Sequence, residues 1–306
     1  MDGVALLFPG QGSQAVGMGR DLYERFPAAR EVFEQADRLL GFSLSQLCFE
    51  GPADRLNDTL YTQPAVFTVS VAALRAMEPQ LEEVACVAGH SLGEFAALVA
   101  ADALPFDDGL ALVQERARLM KEAGDQSPGG MVAVLGLDVE EMETLCTRVQ
   151  EETGEYVGVA NDNCPGQVVV SGAEAAISAL AEAAKAAGAR RVIRLAVSIA
   201  PHSPLMARAA EAFRRALAKA PFRPPRVPFI ANATARPVTD PDQIREVLGR
   251  QLTSPVYWTD SIRWMVDQGV RRFIEVGPGS VLTGLLRRID RTVERMTTPQ
   301  VLGVEG

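Results

Sequence analysis

The stretch VAGHSLGEF, Val87 to Phe95, decides how this chain is to be read. Its pattern Gly89-x-Ser91-x-Gly93 lies between an apolar run, Val84–Ala88, that reads as a buried strand and a second run, Leu92–Ala100, that reads as a helix. A sharp strand-to-helix turn leaves no room for Cβ atoms beside its apex, hence glycine at both flanking positions. Such a turn lifts Ser91 Oγ above the sheet edge, where a nucleophile must stand. The start of the next helix carries unpaired N–H groups and the positive end of the helix dipole. The N–H of Leu92 therefore points where an oxyanion would form. A purely structural corner is the competing reading.

Working outward, Val4–Phe8 reads as a strand ended by Pro9-Gly10-Gln11-Gly12. Pro64 suits the first turn of a helix reaching about Met77, and Asp107 can cap another that reaches Ala123. Short apolar strands alternating with helices predict a parallel sheet and an α/β fold. At Gly124–Gly130 the composition turns to that of a linker. Beyond it, Met131–Leu135, Val139–Gln150, Tyr156–Ala160, Gln167–Ser171, Ala173–Ala187 and Arg191–Ala196 give the order βαββαβ, that of a ferredoxin-like module. The expected organisation is a discontinuous large α/β domain, residues 1–123 and 197–306, interrupted by a small ferredoxin-like domain, residues 124–196. Strands at Val227–Ala231 and Arg272–Val276, and helices at Pro204–Lys219, Ser261–Gln268 and Ser280–Ile289, complete the large domain.

The chain has 306 residues, 47% hydrophobic, and a formal net charge of −9. That length supports a sizeable core. No apolar run is long enough to span a bilayer, and the start lacks the pattern of a signal peptide, so no membrane attachment and a cytoplasmic location are expected. The acidic balance argues against nucleic-acid binding. Four scattered cysteines offer neither metal spacing nor a redox pair, so no metal is expected.

A serine hydroxyl needs a base. The chain holds only two histidines. His90 adjoins Ser91 on the turn and should project elsewhere, which leaves His202 in SIAPHSPLM. On the helix from Asp107 to Ala123, at about 100° per residue, Leu110, Leu112, Val113, Ala117, Leu119 and Met120 form one apolar arc. Arg116 falls inside that arc, and Arg118 outside it. An inward guanidinium is either half of an internal ion pair or a fork for a substrate carboxylate.

At this point the motifs LLFPGQGSQ, YTQPA, GHSLGEF, ERARLM, NCPGQVVVSG, HSPLM, RQLTSPVYW and EVGPGSVLTGL, running in order from Leu6 to Leu285, carry a resemblance. The chain resembles the bacterial malonyl-CoA:acyl-carrier-protein transacylases of fatty acid synthesis and the related acyltransferase domains of polyketide synthases. The resemblance implies a hydrolase-like core, with a short parallel β-sheet flanked by helices, and a ferredoxin-like insertion. It implies Ser91 as the acyl carrier, His202 as its base and Arg116 as the grip on the malonyl carboxylate. It implies the backbone N–H of Gln11 as an oxyanion donor beside Leu92. Gln251 would hold the histidine through its carbonyl, and Asn161 would line the cleft. Malonyl-CoA and acyl carrier protein are the implied partners of a monomer, with coenzyme A thioester as substrate and no resident cofactor. Phe95 stands where many members have Tyr, and Pro201 where Phe or Ser is common. The choice between malonyl and substituted malonyl, and between fatty acid and polyketide pathways, stays open.

A hydrolase using water in place of the carrier and a non-catalytic binding module are the alternatives. The basic groups Arg190, Arg191 and Arg194, and separately Arg214, Arg215, Lys219, Arg223 and Arg226, are candidate docking faces for an acidic carrier. The glycines of EVGPGSVLTG miss dinucleotide spacing and read as a strand-to-helix turn.

Overall fold

The computed structural model describes residues 3–81 and 83–304. Eleven strands are described, in two sheets. The six-stranded sheet is built from β1 (Val4–Phe8), β2 (Val84–Gly89), β7 (Phe229–Ala231), β8 (Arg236–Val238), β10 (Arg272–Glu275) and β11 (Glu294–Thr297). Its order is β11-β10-β1-β2-β7-β8, parallel throughout except for the β7–β8 edge pair. Alternation along β1 explains why helices cover both faces. Val4, Leu6 and Phe8 enter the largest apolar cluster, while Ala5 and Leu7 enter another with Trp258, Ile262 and Met265.

The five-stranded sheet holds β3 (Gly129–Leu135), β4 (Val157–Cys164), β5 (Gln167–Ala173), β6 (Arg191–Arg194) and β9 (Val256–Tyr257), in the order β6-β3-β5-β4-β9. β3 to β6 pair antiparallel, and the helices Val139–Thr153 and Glu174–Ala186 cover one face. β9 arrives from far along the chain and pairs parallel to β4, with Asn161 opposite Val256. This fifth strand was not legible as one: Val256–Tyr257 is two residues long and has no pattern of its own.

Several boundaries differ from expectation for local physical reasons. The helix ascribed to Pro64 begins at Thr59, because the Asp58 carboxylate accepts the Leu60 N–H and caps it; Pro64 lies inside. The next long helix spans Phe106–Gln126, so Asp107 is in its first turn rather than at its cap. It runs into the presumed linker, and β3 begins at Gly129, leaving only Ser127 and Pro128 between them. The expected strand at Arg191–Ala196 ends at Arg194, and the expected helix Pro204–Lys219 is a short 3₁₀ turn followed by Ala207–Leu217. Among the described residues no helix is long and apolar enough to cross a membrane. All four cysteines are free and buried.

The loops after β1, β2, β7 and β10 converge at the carboxyl edge of the larger sheet, where parallel sheets commonly place their sites. A Cβ on Gly93 would lie 2.1 Å from Phe8 O, and one on Gly277 would lie 3.0 Å from Pro9. Glu275 ends β10, and its carboxylate accepts the N–H groups of Leu282 and Thr283 at the start of the helix Val281–Ile289. The EVGPG stretch is thus a strand-to-helix turn.

Candidate active site

β2 ends at Gly89, and Ser91 follows with φ of 51°, in the left-handed region. Such a conformation costs a non-glycine residue about 1–3 kcal/mol and persists only when its surroundings impose it. They do so here. A Cβ on Gly89 would lie 1.9 Å from the Gly93 carbonyl carbon, so the turn closes only with glycine at both positions. Asn232, just after β7, ties the turn down. Its side chain accepts the Ser91 N–H at 2.6 Å and donates to Gly89 O at 2.7 Å.

His202 sits between Pro201 and Pro204 with φ of 59° and is 4% exposed. Its Nε2 is 2.9 Å from Ser91 Oγ. Its Nδ1 faces two backbone carbonyls, Gln251 O at 3.0 Å and Ser254 O at 3.1 Å. Carbonyls only accept, so Nδ1 carries the proton and Nε2 is left to accept from the serine. Burial lowers the imidazole pKa to about 3, helped by the positive charge of Arg116. The ring is therefore neutral at physiological pH, as a base must be. His90 goes elsewhere, as expected: its Nε2 meets Asn163 Oδ1 at 2.8 Å and its ring lies edge-on to Trp258.

Arg116 is 2% exposed, and its apolar arc is buried with it. Arg118 is on the outer side, paired with Glu115 and Glu122. The Arg116 guanidinium is met mainly by neutral oxygens. Nε donates to Gln251 Oε1 at 3.0 Å, Nη1 to Gln63 Oε1 at 2.7 Å and Nη2 to Ser91 Oγ at 3.0 Å. A guanidinium has five N–H donors. Among the described residues three are engaged, and one on each Nη is left over. Burial lowers its pKa to about 10, opposed by the charge of Glu94.

Glu94, 2% exposed, was missed in the sequence. It stands on the helix Gly93–Ala100, accepts the Asn232 N–H at 2.7 Å and accepts from Gln251 Nε2. Gln251 Nε2 also donates to Ser91 O at 2.9 Å. Burial raises the Glu94 carboxyl to about 7, although Asn232, Gln251 and Arg116 all favour its anion. Gln63 and Asn232 were missed too. An apolar helix carrying one acid was the available signal for Glu94, the same kind of signal that singled out Arg116.

Gln11 and Leu92 lie on the two loops that pack together here, since a Cβ on Gly10 would lie 2.4 Å from His90 O. Neither backbone N–H makes a hydrogen bond among the described residues. The Gln11 side chain turns away to Thr59 Oγ1. Asn161 is buried on β4 and makes no hydrogen bond to Ser91, His202 or Arg116; its neighbour Asn163 instead reaches His90. Phe95 is buried against Phe213, with ring centroids 6.0 Å apart, so no hydroxyl is needed there.

The expected docking faces are partly occupied by internal partners. Arg194 pairs with Glu174, Arg215 with Glu211 and Arg226 with Asp102, while Arg214 bonds to Gly249 O. A different cluster, Arg287, Arg288, Arg291 and Arg295, lines a cavity of about 470 Å³. Arg288 in this cluster holds Pro165 O and Gly166 O in the β4–β5 turn. Arg287 and Arg291 make no ion pair among the described residues.

The family model described as "Acyl transferase domain" matches residues 5–304. The malonyl CoA-acyl carrier protein transacylase of Bacillus subtilis (strain 168) is 44% identical over 294 residues, 96% of this chain and 92% of that protein. The solved malonyl CoA-acyl carrier protein transacylase from Coxiella burnetii aligns with a TM-score of 0.95 at 38% identity, covering 98% of this chain and 96% of that one. A malonyl-transacylase solved in complex with its type II PKS acyl-carrier protein aligns with a TM-score of 0.95 at 38% identity, over 99% of each chain.

Proposed function

The chain belongs to the acyl transferase domain family, and from that premise we infer that it moves a malonyl group from coenzyme A to acyl carrier protein in fatty acid synthesis. One observation carries the choice of acyl group: a buried guanidinium with two unused donors lies 3.0 Å from the serine hydroxyl. A carboxylate is the group those donors fit.

Ser91 Oγ attacks the thioester carbonyl as its proton passes to His202 Nε2. The oxyanion of the tetrahedral intermediate meets the N–H groups of Leu92 and Gln11. It collapses with release of coenzyme A, whose sulfur takes the proton from His202, leaving malonate esterified to Ser91. The phosphopantetheine thiol of the carrier then gives its proton to His202 and attacks the ester carbonyl. The malonyl thioester forms on the carrier as the bond to Ser91 Oγ breaks, and His202 returns the proton to Ser91. General-base help supplies about 10²–10⁴-fold and each oxyanion donor about 10²–10³-fold. The carbonyls of Gln251 and Ser254 do the orienting that an aspartate does in a hydrolase triad.

Residues 124–196 are read as a ferredoxin-like insertion whose β4 carries Asn161 to the rim of the cleft. The face lined by Arg287, Arg288, Arg291 and Arg295 is assigned to the acidic carrier. The same reading makes the enzyme a cytoplasmic monomer, with coenzyme A as substrate and not as a resident cofactor.

The test is intact-protein mass spectrometry after mixing with malonyl-CoA. A malonyl adduct on Ser91, discharged when holo carrier protein is added, supports the transferase. Prompt release of free malonate without a carrier identifies a hydrolase, and no adduct identifies a binding module.

A further inference from the structure

The buried cation of the site already has an anion nearby, and that anion serves no step of the transfer. Glu94 is the one acid whose charge acts on Arg116 among the described residues, and it does so from behind Gln251. Its carboxylate spans two donors, the Asn232 N–H and Gln251 Nε2. Those two residues hold Ser91 from both sides: Asn232 Oδ1 accepts its N–H, and Gln251 Nε2 donates to its carbonyl. Gln251 Oε1 meets Arg116 Nε, and the Gln251 carbonyl meets His202. One carboxylate thus sits behind nucleophile, base and cation together.

A glutamine of the same length could accept from only one of the two donors. The charge matters separately. With Glu94 ionised, the empty site is balanced, one positive and one negative. A bound acyl carboxylate then shares one guanidinium with Glu94 in a site of low dielectric, so the two anions disfavour each other.

We propose that Glu94 is a positioning and specificity-tuning residue: it braces Ser91 through Asn232 and Gln251, and it weakens the hold of Arg116 on the acyl carboxylate so that the acyl group can be passed on. This rests on the reading that Arg116 takes that carboxylate. It follows that a carboxylate entering the site draws a proton onto Glu94, whose carboxyl is already raised to about 7. The charged group facing Glu94 is Arg116, from the helix Phe106–Gln126; Gln251 and Asn232, from the other elements packed there, are neutral.

The test is calorimetric binding of malonyl-CoA and acetyl-CoA to the Ser91→Ala protein, alone and combined with Glu94→Gln or Arg116→Ala. The expected result is that Glu94→Gln tightens malonyl-CoA by about tenfold, the order set by removing one nearby charge, and leaves acetyl-CoA unchanged. With Ser91 intact, E94Q should slow acylation at least about tenfold, since one donor behind the serine loses its acceptor. Equal changes for both thioesters, or none, overturn the proposal. Arg116→Ala separates the two claims: if it fails to weaken malonyl-CoA selectively, the reading of Arg116 itself falls. If E94Q yields no folded protein, the Ser91→Ala protein decides. Binding heats in buffers of different ionisation enthalpy should reveal proton uptake with malonyl-CoA and none with acetyl-CoA. Absence of uptake at neutral pH then overturns the proposal.

Discussion

Arg116 Nη2 donates to Ser91 Oγ at 3.0 Å, so a buried cation shares a hydrogen bond with the serine proposed as nucleophile. The same Oγ faces His202 Nε2 at 2.9 Å. A positive charge this close favours the developing alkoxide and disfavours a resting imidazolium. On the proposed reading, selection and activation both depend on one arrangement of three side chains drawn from distant parts of the sequence.

Asn232→Ala should loosen that arrangement without touching substrate. It strips the Ser91 N–H of its acceptor and Gly89 O of its donor. Each buried group left unpaired costs about 1–3 kcal/mol. The expected outcome is a lower denaturant midpoint at unchanged slope, with acylation of Ser91 slowed by about 10²-fold. An unchanged midpoint would remove Asn232 from the account of the strained turn.

The pH behaviour of the base follows from its burial. The unfolded chain should titrate His202 near the ordinary imidazole value of 6.5, while the folded protein holds it down at about 3. Its contribution to stability is thus complete above about pH 6.5 and is lost as pH falls towards 3. With only two histidines in the chain, both lowered by burial, ring NMR signals are easily assigned. The His202 ring should not protonate between pH 8 and pH 5, and burial should hold the His90 ring below the ordinary imidazole range. A midpoint near 6.5 for the signal lost in His202→Asn would contradict the buried neutral base.

Charge reversal separates the candidate carrier faces. Arg287→Glu with Arg291→Glu should raise the KM for acyl carrier protein about tenfold or more, an effect that weakens with added salt. The rate at which malonyl-CoA acylates Ser91 should not move. Reversal at Arg214 and Arg215, which already have internal partners, should change the carrier KM little. The opposite ranking would return the docking surface to the helix Ala207–Leu217.

Much of this site is legible in the sequence because its signals are local. The glycines around Ser91, the scarcity of histidine and the arginine within an apolar arc each need only a short window. The roles of Gln11, Gln251 and Asn161 come from resemblance, since no periodicity marks a backbone N–H or carbonyl as functional. Glu94 escaped because its partners, Asn232 and Gln251, lie 138 and 157 residues away along the chain. The helix Gly93–Ala100 is otherwise wholly apolar or small, so an acid there was as conspicuous as Arg116. The start of the helix at Thr59 was misjudged for a different reason. A proline is favoured in a first turn, but the Asp58 cap five residues before Gln63 nucleates the helix earlier, and Pro64 is carried inside it.

The central claim, that Arg116 selects the acyl group by its carboxylate, is tested most directly by single-turnover acylation of Ser91 with malonyl-CoA and acetyl-CoA, in the native protein and in Arg116→Ala. A charge-assisted bidentate contact is worth roughly 2–5 kcal/mol, so malonyl acylation should fall by about 10²–10³-fold or more while acetyl acylation falls far less. Equal losses with both thioesters would make Arg116 a structural cation, and its free donors irrelevant to substrate choice.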